Sequence, residues 1–136
     1  MKRKTFFKKI PSEEITPLEI YMRFLDDKNS YFFESVEGGE KWAKYSIIGL
    51  PTDKKIKLSD SPLDEIDDFM KSQKVERIEG LPDFTGGLVG YFSYDTIRHI
   101  EKKLSYSKKP QLNYAEISLM ISDELIAVSY THLTLP

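Results

Sequence analysis

Residues 85–98, Thr-Gly-Gly-Leu-Val-Gly-Tyr-Phe-Ser-Tyr-Asp-Thr-Ile-Arg, place three glycines within five positions and follow them with aromatic, acidic and basic side chains. Glycines at that density serve two kinds of chemistry. Their backbone N–H groups can cradle a phosphate, or their missing side chains can let a ligand or another backbone come close. The phosphate loop of nucleotide hydrolases needs Lys and then Ser or Thr after its last glycine; here Gly90 is followed by Tyr91 and Phe92. The dinucleotide fingerprint needs a glycine two positions before Gly87, where Thr85 stands. It also needs a helix next, where Leu-Val-Gly-Tyr-Phe-Ser-Tyr has strand composition. Nucleotide binding fails on both patterns, and Gly86, Gly87 and Gly90 read as part of a strand that something approaches closely. Along that strand Leu88, Gly90, Phe92 and Tyr94 share one face, and Val89, Tyr91, Ser93 and Asp95 the other. Asp95 and Arg98 at its exit suit either a local ion pair or a ligand contact.

Other reactive residues are sparse. The 136-residue chain has no cysteine, which removes thiolate and disulfide chemistry and fits a reducing, cytoplasmic setting. His99 and His132 are isolated in the sequence and read as surface residues rather than catalysts. No metal-ligand spacing is visible, and no catalytic residue is assigned. The net charge of -2 gives no basic bias toward nucleic acid. No apolar run is long enough to cross a membrane. The basic start (Lys2, Arg3, Lys4, Lys8, Lys9) lacks the apolar stretch of a secretory signal. That start and the acidic group Asp60, Asp64, Glu65, Asp67 and Asp68 read as solvated surface.

The elements that must position these residues follow from local pattern. Thr5–Pro11 suggests a short first strand. Thr16, Pro17 and Glu19 form a capping-box start to a helix over 15–27, with Leu18, Tyr21, Met22 and Leu25 as its core-facing stripe. Aromatic-rich 30–35, then 44–50 and the alternating 54–59 suggest three strands of an antiparallel meander. A second helix starts at Ser61 as cap and Pro62 as first residue, with Leu63, Ile66, Phe69 and Met70 inward. Residues 86–97 form a long strand, and 115–122 with 125–130 a final hairpin about Asp123–Glu124. The fold class is α+β, a largely antiparallel sheet with two helices packed on it.

Beyond pattern, Tyr-Phe-Phe-Glu-Ser-Val-Glu-Gly-Gly-Glu-Lys-Trp-Ala-Lys-Tyr-Ser-Ile-Ile-Gly-Leu (31–50) and Leu-Pro-Asp-Phe-Thr-Gly-Gly-Leu-Val-Gly-Tyr-Phe-Ser-Tyr-Asp (81–95) occur in that order. Together they resemble the N-terminal domain of anthranilate synthase component I. Thr-Pro-Leu-Glu-Ile-Tyr-Met-Arg-Phe-Leu (16–25) is similar to that family's first helix. In the resemblance Gly86, Gly87, Gly90, Tyr91, Tyr94, Asp95 and Arg98 belong to a structural motif. It implies an enzyme that adds glutamine-derived ammonia to chorismate and releases pyruvate and anthranilate. It also implies a glutamine amidotransferase subunit as partner, and Mg2+ held in a C-terminal chorismate-binding domain. None of those Mg2+ or ring-carboxylate motifs is visible in this chain, which the resemblance makes the non-catalytic regulatory part. Its implied effector is L-tryptophan, with Glu34 and Ser35 as contacts and, more loosely, Lys44, where the family often has Arg. Glu34 suits an ammonium, and Ser35 either charged group of a free amino acid.

The domain is expected over 1–127. Residues 128–136, ending in Ser-Tyr-Thr-His-Leu-Thr-Leu-Pro, are similar to a translated adapter and are expected to be a non-native tail. Two alternatives stand beside this reading: the equivalent domain of aminodeoxychorismate synthase component I, and a stand-alone amino-acid-binding module.

Overall fold

The computed structural model describes residues 3–11, 15–25, 29–34, 45–58, 61–104 and 114–129. In chain order its elements are α1 (Pro17–Met22), β1 (Tyr31–Phe33), β2 (Tyr45–Gly49), α2 (Pro62–Ser72), β3 (Gly87–Phe92), 3-10 turns at Tyr94–His99 and Lys102–Leu104, β4 (Ile117–Ser122) and β5 (Leu125–Ser129). The class is α+β with antiparallel sheets. One sheet has the order β1-β2-β5 and the other pairs β3 with β4.

α1 forms where its cap dictates. The Thr16 hydroxyl accepts from the Glu19 N–H, and the Glu19 carboxylate accepts in return from the Thr16 N–H at 2.7 Å. Loss of such a cap costs about 1 kcal/mol. Pro17 opens the helix, where its missing N–H leaves no intrahelical bond unmade. α1 packs on β1 and β2, with Tyr21 stacked on Phe32 at 5.4 Å between ring centroids. Of the expected core stripe, Tyr21 packs and the other three residues do not. Tyr21 lies on the sheet and Ile20 and Phe24 are half-buried, while Leu18, Met22 and Leu25 are 52%, 56% and 50% exposed. The segment is apolar on more than one side, so period alone could not choose the inward face.

α2 begins at Pro62, which is buried, but Ser61 makes no side-chain capping bond. Its acidic first turn (Asp64, Glu65) and basic last turn (Lys71) complement the helix dipole instead. Leu63, Ile66 and Phe69 are half-buried, whereas Met70, expected inside, is exposed.

The central strand is β2, with both edges taken: Tyr31 to Phe33 pair with Gly49 to Ile47 on one side, and Leu125 to Ser129 with Gly49 to Tyr45 on the other. That position buries Ser46 and Ile48 completely. It also explains why no meander forms. With β2 saturated, residues 54–56 take the free edge of β4. Ile56 N–H donates to Leu119 O, Ile121 N–H donates to Lys54 O, and the contact reduces to a single bridge between Lys55 and Met120.

Three further expectations are corrected. Residues 5–11 form no strand, and Phe6, Phe7 and Ile10 face solvent; two Phe and then two Lys in succession deny the segment a single apolar face. The long strand ends at Phe92. Ser93 N–H donates to Glu116 O at 2.7 Å, and Thr96 N–H donates to Ser93 O, turning the chain into the 3-10 helix that carries Tyr94, Asp95 and Arg98. The final hairpin is a sheet switch: β4 pairs with β3, and β5, two residues later, pairs with β2. Two-residue hairpins require positive φ at a central position, and neither Asp123 nor Glu124 has it.

Candidate functional site

The glycine-rich segment is approached by backbone. A side chain on Gly90 would place its Cβ 1.9 Å from Ser118 O of β4, and one on Gly86 2.7 Å from Ser122 O. Gly86 and Gly87 also hold φ of 125° and 147°, which side chains rarely tolerate. What comes close is therefore the neighbouring strand, paired residue by residue from Gly87↔Ser122 to Phe92↔Ile117. At the strand's exit Arg98 donates to Asp95 at 2.7 Å in a half-buried ion pair within one 3-10 turn. Tyr91 and Tyr94 are exposed. His99 is exposed, as expected of a surface residue, and its ring nitrogen lies 3.0 Å from Glu116 Oε2. His132 lies outside the described residues.

The other cluster sits at one end of the first sheet. β1 and β2 are antiparallel, so Glu34, one residue beyond the Phe33↔Ile47 pair, and Tyr45, which opens β2, lie at the same end. Ser129 pairs with Tyr45 there. Glu34 is exposed. Ser35 and Lys44, the chain neighbours of Glu34 and Tyr45, lie outside the described residues, as do Gly38 and Gly39. The structure thus places Glu34 at a sheet end and leaves its two expected companions undescribed.

Behind β1 lies a corner that the sequence reading missed. The Tyr31 ring lies across Gly49, where any Cβ would come within 1.8 Å of it. The Tyr31 and Ser122 hydroxyls bond at 2.8 Å, buried between the two sheets. Burial pushes the Tyr31 hydroxyl above the usual phenol range, and the Ser122 bond pulls the other way. Leu50 N–H donates to Glu124 O, tying the end of β2 to the switch point. Asp123 at that point binds Lys54 Nζ at 2.8 Å and the Arg3 guanidinium, which also reaches Gln73. The one available signal was Gly49, a glycine inside a strand, which implies a close neighbour.

These bonds from Lys54 and Arg3 hold the Asp123 carboxyl below its ordinary range. A depressed carboxylate contributes stability that is complete above its ordinary value of about 4 and is lost as pH falls through the lower folded value. Asp123→Asn should therefore remove part of the acid sensitivity of the corner. Hydrogen exchange at the Leu50 amide, followed from about pH 5 to pH 2, reads this; identical pH slopes in parent and variant would contradict it.

Among the described residues no three His, Asp or Glu side chains gather as a metal site. No described helix is long and apolar enough to cross a membrane.

No family profile matches the chain. Curated relatives do. Anthranilate synthase component 1 of Pseudomonas putida is 42% identical over 130 residues, covering 82% of this chain and 26% of the relative. The protein of the same name from Pseudomonas aeruginosa is 41% identical with the same coverage. The probable anthranilate synthase component 1 of Schizosaccharomyces pombe is 33% identical, covering 92% of this chain and 26% of the relative. The chain thus spans about a quarter of the length of the curated relatives it matches.

Proposed function

From a chain that belongs to the anthranilate synthase component 1 family, we infer the regulatory, N-terminal part of an enzyme of tryptophan biosynthesis. In this reading the remaining three-quarters of a family-length protein converts chorismate and ammonia to anthranilate and pyruvate. A glutamine amidotransferase subunit supplies the ammonia. The present quarter contributes no reacting group; it contributes part of an L-tryptophan site.

The observation that carries the reading is the exposed carboxylate of Glu34 at the end of β1, in the segment whose order matches the family. A free amino acid brings an ammonium, a carboxylate and a side chain. Glu34 pairs with the ammonium in a charge-assisted bond, and Ser35 bonds either charged group. Lys44 orients the site; where the family often has Arg, Lys offers a point charge without the planar fork. Feedback then requires that tryptophan bind more tightly to a low-activity arrangement of the whole protein than to an active one. The inhibition is only as large as that difference.

Ser35→Leu in the full-length protein is the test. The expected result is a rise of about tenfold or more in the tryptophan concentration needed for half inhibition, which corresponds to about 1.4 kcal/mol of lost differential binding, with turnover retained. Equal inhibition in parent and variant would remove Ser35 from the site.

A further inference from the structure

We propose that Arg3 is a salt-sensitive latch. It holds the C-terminal turn of α2 to the point where the chain switches sheets, and it makes residues 3–11 a strap that opens without unfolding either sheet.

Three observations carry this. First, one side chain joins distant parts of the chain. The Arg3 guanidinium donates to Gln73, the C-cap of α2, and to Asp123, between β4 and β5. Those partners lie 70 and 120 residues further along. Second, the strap has little else to hold it. Residues 3–11 form neither helix nor strand, and every one of them but Thr5 is exposed. Among the described residues, Arg3 is the member of this segment that bonds outside it. Third, both surfaces stay satisfied when Arg3 leaves. The Asp123 carboxylate still accepts from Lys54 Nζ at 2.8 Å and so keeps a cation. The Gln73 N–H still reaches the Phe69 and Met70 carbonyls, and the Ser72 hydroxyl still donates to Phe69 O at 2.6 Å. Opening therefore strands no charge, and it costs only the latch itself. Met70, Lys71 and Ser72 are exposed, so the last turn of α2 has little apolar cover to hold it once the latch is open. The Arg3 and Asp123 side chains are 38% and 24% exposed, so salt reaches the pair and screens it. Local openings of this kind lie far below the cost of unfolding a whole domain.

Amide hydrogen exchange in the 136-residue chain tests this. The Gln73 amide reports on the last turn of α2. The Ser93 amide, which donates to Glu116 O, reports on the β3–β4 sheet. Three variants each remove one positive charge. Arg3→Ala removes the latch. Lys54→Ala removes the other cation on Asp123, which does not bond Gln73. Lys4→Ala removes a neighbouring charge that lies over Phe6, within the strap. At about 0.05 M salt, where charges act over more than about 10 Å, Arg3→Ala is expected to exchange at Gln73 about threefold faster than the parent, the scale of an exposed ion pair. Lys54→Ala and Lys4→Ala are expected to match the parent at Gln73, and all four proteins are expected to agree at Ser93. At about 0.5 M salt the ratio of Arg3→Ala to parent should fall toward one, because salt has then opened the latch of the parent as well. A ratio of one at low salt would overturn the proposal, as would a ratio that salt leaves unchanged. Equal acceleration at Gln73 by Lys4→Ala would assign the effect to net charge. Acceleration at Ser93 by Arg3→Ala would assign it to lost stability of the whole fold. Either of these results overturns the latch too.

Discussion

Gly90→Ala is expected to destabilise the chain by about 3 kcal/mol, the upper end of ordinary overpacking. Alanine in place of a strand glycine is normally favourable by about 0.5–1 kcal/mol, because less backbone freedom is lost on folding. Here the clash outweighs that gain. The new Cβ would stand 1.9 Å from Ser118 O and 3.0 Å from the Leu119 Cα, both backbone atoms of the paired strand that no rotamer change can move aside. β3 and β4 would have to separate at their middle, between the Val89↔Met120 and Tyr91↔Ser118 pairs. Gly80→Ala is the comparison. Gly80 has φ of 80° but nothing within 4 Å, so only the left-handed backbone penalty of about 1–2 kcal/mol applies. Denaturant unfolding of the two variants should rank Gly90→Ala well below Gly80→Ala. The reverse order would mean that β3 and β4 are not in this contact.

The second large effect is at Tyr31. Its side chain is almost fully buried, fills the space above Gly49 and joins the two sheets through Ser122. Tyr31→Ala should cost about 3–5 kcal/mol, as large aromatic truncations do. That is a large share of the 5–15 kcal/mol by which domains are typically stable, roughly. Tyr31→Phe separates the ring from the hydroxyl. It keeps the packing and leaves the buried Ser122 hydroxyl without its partner, for a cost of about 1–2 kcal/mol. Adding Ser122→Ala to Tyr31→Phe should recover part of that loss, since removing both polar partners spares the unsatisfied group. Strict additivity of the two substitutions would show that the hydroxyls do not depend on one another.

Some of this was legible in the sequence because it is local. The start of α1 is written in Thr16, Pro17 and Glu19, three residues that satisfy one another within a single turn. The need for a close neighbour at Gly90 is written in the glycine itself. What approaches it is not, because Ser118 lies far along the chain. The same limit governs the strands. The alternation of residues 54–58 marks a half-buried strand, but its neighbour depends on β2 having both edges occupied. The stretch 117–129 was visible as two strands, yet their assignment to different sheets depends on partners supplied by β2 and β3. α1 misled for another reason: it has apolar residues on two sides, and only one of them faces the sheet. At the candidate site the resemblance singled out Glu34, which stands at an exposed strand end. The residues that brace the strand behind it, Tyr31 and Ser122, come from opposite ends of the chain, and no motif links them.

The central claim is that this chain brings tryptophan control to an enzyme that makes anthranilate. The most direct measurement joins residues 1–129 to the remainder of the Pseudomonas putida relative and follows product formation from chorismate and ammonia with increasing L-tryptophan. The same titration is run on the Glu34→Gln variant. The account predicts anthranilate as product, inhibition by tryptophan in the parent, and inhibition weakened by about tenfold or more in the variant while turnover persists, since an ammonium would lose its charged partner. An active parent indifferent to tryptophan, equal inhibition in parent and variant, or aminodeoxychorismate as the product would contradict it.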